Sequence, residues 1–126
     1  MDIRDNLKYT EDHEWLRVEG EFAFIGVSDY AQGQLGDVVF VEVETVGETL
    51  GKGEALGTIE AVKTVSDIFM PVSGEVLEFN EALESNPEII NKDPYGEGWV
   101  VKIKITNPAE INQLMDAAQY KELVGA

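Results

Sequence analysis

The sequence predicts a mainly β fold, α+β by virtue of short helices, with two antiparallel sheets packed as a sandwich or flattened barrel. Three observations predict it. Apolar and polar residues alternate with a period of two through most of the extended stretches, as half-buried strands require. Those stretches are short and separated by glycine-, proline- and asparagine-bearing turns. The run Gly47-Glu48-Thr49-Leu50 returns as Gly74-Glu75-Val76-Leu77. Two such half-motifs flanking one central stretch suggest a pseudo-twofold arrangement. The 126 residues suit a single domain, residues 1–126.

In chain order, a first strand is expected around residues 14–18. Gly20-Glu21 turns the chain into a second, residues 22–27, giving an antiparallel pair. His13, the only histidine, stands just before this pair. No serine or cysteine nucleophile arrangement accompanies it, so a structural hydrogen-bonding role outweighs a catalytic one. Residues 28–36 are expected to form a short helix, with Ser28 or Asp29 as N-cap and Gly36 as the stop. Gly33 weakens that helix by up to ~1 kcal/mol relative to alanine. Residues 37–43 read as a strong strand. Residues 47–54 form a glycine-punctuated loop with a short extended piece. Its likeness to a phosphate-binding loop fails on spacing, and Gly53 stands where a magnesium-binding Ser or Thr belongs.

Residues 57–80 are the central stretch. Thr58-Ile59-Glu60-Ala61-Val62 is one arm. The second arm includes Ile68-Phe69-Met70 and continues through residues 72–79. The bend at Val62-Lys63-Thr64 contains no Gly, Pro or Asn, so it is not a two-residue I′ or II′ turn. Lys63 at such a bend projects its amine away from the backbone on a flexible stem, open to a modifying enzyme. A plain solvated lysine is the bland alternative. Beyond the hairpin, Asn80 caps one or two helical turns over residues 81–85, Asn86-Pro87 breaks them, and residues 88–91 add another. Residues 92–98 are a turn-rich loop, and residues 99–105 are the last strand. Asn107 is expected to cap a further helix, with Pro108 in its first turn and Glu110 at N3. Ile111, Leu114 and Met115 fall on one of its faces. Residues 116–124 form a final helix that covers an edge or face of a sheet.

Charge narrows the function. Nine Lys and Arg against 25 Asp and Glu give a net charge of −16. Such a chain repels nucleic acids and anionic membranes and suits basic faces of partner proteins. With no cysteine, disulfides, thiolate catalysis and Cys-ligated metal sites are excluded. No apolar run approaches the ~20 residues of a membrane span. Residues 1–5 have neither the apolar core of a signal peptide nor the composition of a transit peptide, so a cytoplasmic location is expected.

Four segments carry a resemblance to a known family. These are Tyr9-Thr10 with His13-Glu14-Trp15, then Asp29-Tyr30-Ala31-Gln32 with Leu35-Gly36-Asp37-Val38-Val39-Phe40-Val41-Glu42. The third is Glu60-Ala61-Val62-Lys63 with Asp67 and Pro71-Val72-Ser73-Gly74-Glu75-Val76, and the fourth runs from Ile90-Asn91 through Pro94-Tyr95 to Gly98-Trp99. Together they resemble the H proteins of the glycine cleavage system over nearly the whole chain. Ala61 departs from the serine usual in that family. Biotin carriers have a similar hairpin but place Met on both sides of the modified lysine. Val62 and Thr64 stand there instead, which favours lipoate.

The resemblance implies a lipoyl/biotinyl-type barrel-sandwich hybrid with lipoate bound as an amide on Lys63, at an exposed corner. It also implies a shuttle rather than an enzyme. The arm takes the aminomethyl group from the pyridoxal-phosphate P protein (glycine decarboxylase) to the folate-dependent T protein (aminomethyltransferase). The flavoprotein L protein then reoxidises it. Lipoate-attaching enzymes are further partners. The family folds the loaded arm into a cleft, for which Glu14 and Asp67 are the candidates here. Ile25, Val27 and Leu35 are candidates for its apolar wall, and Asp12 could add charge beside it. Two other readings remain: a lipoate relay or other carrier module, and an enzyme using paired carboxylates. Twenty-five acids make fortuitous pairs common.

Overall fold

The computed structural model describes residues 1–126. Nine strands form two antiparallel sheets. The larger contains β1 (Lys8–Tyr9), β2 (Glu14–Glu19), β3 (Phe22–Val27), β5 (Thr49–Leu50), β8 (Gly74–Phe79) and β9 (Val101–Ile105), in the order β1-β2-β3-β9-β8-β5. The smaller contains β4 (Val38–Glu42), β6 (Ala55–Ala61) and β7 (Val65–Phe69), with β6 in the middle. Between the sheets lies a core of 21 buried residues, including Leu16, Ile25, Leu56, Ile59, Ile68, Val76 and Ile103. The two-sheet sandwich expected from the alternation is therefore present.

The two echoing half-motifs turn out to be each other's partners. Thr49 pairs with Glu75 and Leu50 with Gly74. The N–H of Gly47 donates to the Val76 carbonyl at 2.7 Å, and the N–H of Val76 to the Glu48 carbonyl at 2.9 Å.

Two expectations need correction. The second arm of the hairpin ends at Phe69 and does not run on through residues 72–79. Pro71 has no N–H to give to a ladder, and the chain there leaves the smaller sheet for β8 of the larger one. The helix expected after Asn107 is a 3-10 segment, Pro108–Gln113, with no side-chain cap from Asn107. Glu110 instead accepts from the N–H of Ser73 at 2.7 Å and its hydroxyl at 3.2 Å, which ties the segment across the Pro71 crossover. Ile111 and Leu114 pack on the main core, while Met115 packs on a second one.

That second core lies apart from the intersheet core and consists of Leu7, Tyr9, Trp15, Tyr95, Ala117 and Tyr120. The final helix α4 (Ala117–Val124) supplies two of these. It starts at a full capping box between Asp116 and Gln119. Tyr120 stacks on Tyr9, with ring centroids 4.4 Å apart. Trp15 sits directly opposite Gly26, and a Cβ at position 26 would come within 2.6 Å of the indole ring. Only glycine leaves room for Trp15 there. The indole N–H donates to the Pro94 carbonyl at 3.0 Å.

Candidate functional site

The lysine hairpin is the tight end of the smaller sheet. The N–H of Ala61 donates to the Thr64 carbonyl at 2.8 Å, closing a turn with Val62 and Lys63 at its centre. The N–H of Val62 donates to the Asp37 carbonyl at 3.0 Å, so the tip is tied to the start of β4 as well. Lys63 is exposed. The two side-chain ion pairs of the molecule, Arg4–Asp2 and Arg17–Glu19, do not involve it.

The stem of Lys63 lies over the C-terminal end of helix α1 (Asp29–Leu35). Ser28 caps this helix by accepting from the N–H of Ala31, and Gly36 ends it at a φ of 77°. A Cβ at Gly36 would sit 3.1 Å from Lys63 Cε. Glycine here thus serves both the helix stop and the close approach of the lysine. Asn91, in the helical turn α3 (Ile89–Lys92) that follows the short helix α2 (Ala82–Ser85), holds this corner together. Its Nδ2 donates to the Gly36 carbonyl at 2.8 Å, and its Oδ1 accepts from the N–H of Val38 at 2.9 Å.

Beside the hairpin lies a cleft of about 140 Å³. It gathers Glu14 and Asp67 with Val27 and Leu35, and Asp12 and His13 at its border. Ile25 is not part of it. This residue lies two positions before Val27 on β3, on the same face, and is completely buried in the intersheet core. Sequence reasoning did not find Gln34, Ser66, Ile59 or Ile68, which also line the cleft. Ser66 and Ile68 flank Asp67 on β7, and Gln34 precedes Leu35, so adjacency in sequence was the available signal.

The two carboxylates differ in setting. Asp67 is exposed and lies opposite Thr58 on the outer face of the smaller sheet. Glu14 is only 2% exposed. Its Oε1 accepts from the Thr10 hydroxyl at 2.6 Å and its Oε2 from the N–H of Phe69 at 3.3 Å. Burial disfavours the carboxylate and pushes the Glu14 pKa up to about 7, against these two hydrogen bonds, which favour the anion. Glu14 therefore titrates near neutral pH and can be a neutral acceptor or an anion according to what faces it. On its other side Glu14 also borders a larger cavity, of about 330 Å³, lined by Tyr9, Lys52, Met70 and Leu114 among others.

His13 adopts a positive φ of 70°. Its Nδ1 lies 2.9 Å from the Tyr120 hydroxyl, which in turn is 2.6 Å from the Ser28 hydroxyl. Burial lowers its pKa. The imidazole links the cleft wall to the second core.

Residues 7–126 match the glycine cleavage H-protein family. The chain is 59% identical to the glycine cleavage system H protein of Bacteroides fragilis over the full length of both chains. It is 60% identical to that of Bacteroides thetaiotaomicron over 98% of each. Its fold superimposes on the crystal structure of a glycine cleavage system H protein from Mycobacterium marinum with a TM-score of 0.90 and 37% identity. That match covers 98% of this chain and 100% of the other. No helix is long and apolar enough to cross a membrane. The chain belongs to the glycine cleavage H-protein family.

Proposed function

We propose that Lys63 is the residue on which this carrier of the glycine cleavage system bears its lipoate, as an amide on Nζ. The observation that carries the reading is the lysine's setting: exposed, outside any ion pair, at a turn closed by its own hydrogen bond and tied to Asp37, and beside a cleft with a buried carboxyl. The residues fit the group. A free amine is available for acylation, and the cleft offers apolar walls from Val27 and Leu35. When bound, the cofactor's disulfide supplies a sulfur and an electron sink for one-carbon transfer.

The chain's own residues do the rest. The hairpin fixes the attachment point through the Ala61–Thr64 and Val62–Asp37 hydrogen bonds, and the long lysine stem carries the arm out from it. Glu14 and Asp67 receive the protonated amine of the cargo through charge-assisted hydrogen bonds. An arriving ammonium lowers the Glu14 pKa from about 7, so the anion forms where it is needed. The partners are the P protein, from which the aminomethyl group is taken, the T protein, which receives it, and the L protein, which restores the oxidised carrier. The chain itself is a carrier, and the cytoplasm is its proposed location.

The test is Lys63→Arg, which keeps the charge and removes the acylatable amine. Intact mass after incubation with a lipoate–protein ligase, lipoate and ATP should show one added lipoyl group on the parent and none on the variant. Lipoylation of the variant would overturn the assignment.

A further inference from the structure

The outer face of the smaller sheet carries an apolar patch that neither the core nor the cleft uses. Val39 is 51% exposed, Phe40 48%, Val62 75% and Val65 61%. These are four of the nine large hydrophobic residues exposed anywhere on the chain, so the apolar surface is concentrated at one end. The register explains why they meet. Phe40 lies opposite Glu60, and Glu60 opposite Val65, so the three share the outer face. Val62 immediately precedes Lys63, and Val39 adjoins Phe40.

A β-bulge builds this patch. Strict alternation along β4 would bury Phe40 together with Val38. The pairing shifts between Val38 and Phe40, so that Val38 and Val41 are buried while Val39 and Phe40 both face out. Bulges re-aim side chains next to functional sites. Here the effect is to turn an aromatic residue away from an available core and toward solvent, one short turn from Lys63.

The surround is acidic. The next row on the same face is Glu42, Thr58 and Asp67, and Glu60 stands within the patch itself. No lysine or arginine other than Lys63 lies on these strands or their connecting turn. An apolar centre with an acidic margin matches a protein surface with an apolar seat and a basic margin.

Resting on the assignment of Lys63, we propose that Phe40, Val65 and Val62, with Glu42 and Glu60, form the surface read by the enzyme that acylates Lys63. That enzyme must choose one lysine among seven on this chain, and this patch marks the chosen one. In the step it serves, the deprotonated Nζ attacks the carbonyl carbon of an acyl adenylate. The C–N bond forms, the acyl C–O bond breaks to release AMP, and the amine proton passes to a base of the enzyme. The patch positions the lysine and takes no part in these bonds.

The experiment uses the full-length apo chain and a purified lipoate–protein ligase with lipoate and ATP, read by intact mass. Phe40→Ser combined with Val65→Thr should lower kcat/KM for acylation by about tenfold or more, mostly through KM, as loss of an aromatic anchor does. Glu42→Lys combined with Glu60→Lys should also slow acylation and flatten its dependence on salt. Unchanged circular dichroism and melting temperature verify that the fold is intact, and Phe40→Leu should recover most of the rate. If the parent is not acylated on Lys63, the assignment of the lysine falls and this proposal with it. If the parent is acylated and both double variants match it within twofold, the patch proposal alone is overturned. Variants that acylate normally but stall with the P protein overturn it equally, because the surface then belongs to a later partner.

Discussion

The two sheets are treated differently by the rest of the chain. The larger sheet is covered on both sides near its β1–β2 end, by the intersheet core on one face and by Trp15, Tyr95 and α4 on the other. The smaller sheet is covered on one face only. Its outer face is bare, and Lys63 stands at its end. A carrier visited by several enzymes needs both conditions: one part rigid enough to hold an attachment point, another free of its own structure so that partners can lie on it. The N-terminal and C-terminal segments pack on the first sheet through Leu7, Tyr9, Ala117 and Tyr120 and leave the outer face of the second open.

The comparison predicts opposite responses to mutation. Trp15→Ala should produce the largest effect. It empties a completely buried site and removes the hydrogen bond to Pro94, costing about 3–5 kcal/mol in urea unfolding. Phe40→Ser, on the bare sheet, should shift stability by less than ~1 kcal/mol. Similar losses at both positions would mean that the outer face of the smaller sheet is structurally committed after all.

This contrast was only partly legible in the sequence. Most strands of the two sheets follow from alternation, though not the two-residue β1, and the ends of α1 follow from Ser28 and Gly36. The bend alone left Lys63 readable as a plain solvated lysine, and it was the likeness of Glu60-Ala61-Val62-Lys63 and Asp67 to the H-protein hairpin that singled it out. The bare face was not visible. In Val38-Val39-Phe40-Val41, four apolar residues in a row carry no sign of a bulge, which depends on how β6 pairs alongside. The crossover at Pro71 was hidden for a similar reason: the apolar pattern resumes at Val72 whether the strand stays in one sheet or enters the other. The burial of Glu14 was equally unannounced. A glutamate beside a tryptophan in a strand looks solvated until Phe69, 55 residues away, supplies its N–H.

Glu14 lies where the covered and open regions meet, and its titration sharpens the comparison. The fold raises its pKa from 4.5 to about 7. The neutral acid is therefore the form the fold favours. The associated stability is fully present below about pH 4.5 and is lost as pH rises through 7. Glu14→Gln removes this dependence. Between about pH 5 and pH 8.5 the parent should lose on the order of 2–3 kcal/mol relative to the variant, measured by urea unfolding at each pH. Parallel profiles would mean that Glu14 is already ionised at pH 5, and that burial does not govern its charge.

The smallest expected effect separates the two carboxylates of the cleft. Glu14 is enclosed, where a charge-assisted hydrogen bond to an ammonium is little weakened by water. Asp67 is exposed on the bare sheet, where solvent screens the same contact. If both shelter the carried aminomethyl group, they should do so unequally. With Lys63 fully lipoylated and loaded by the P protein, and with T protein left out, release of the aminomethyl group can be followed as formaldehyde and ammonia. Glu14→Ala should shorten the lifetime of the loaded carrier by about tenfold, the scale of one well-made charged hydrogen bond. Asp67→Ala should shorten it about twofold, the scale of an exposed ion pair. The double variant should approach the product of the two if the residues act independently. Raising the salt concentration should erase the Asp67 effect and leave most of the Glu14 effect. Equal and salt-sensitive losses at both positions would place the bound amine at the open rim of the cleft. Lifetimes unchanged in all three variants would leave Glu14 a structural carboxyl that closes the seam between β2 and β7.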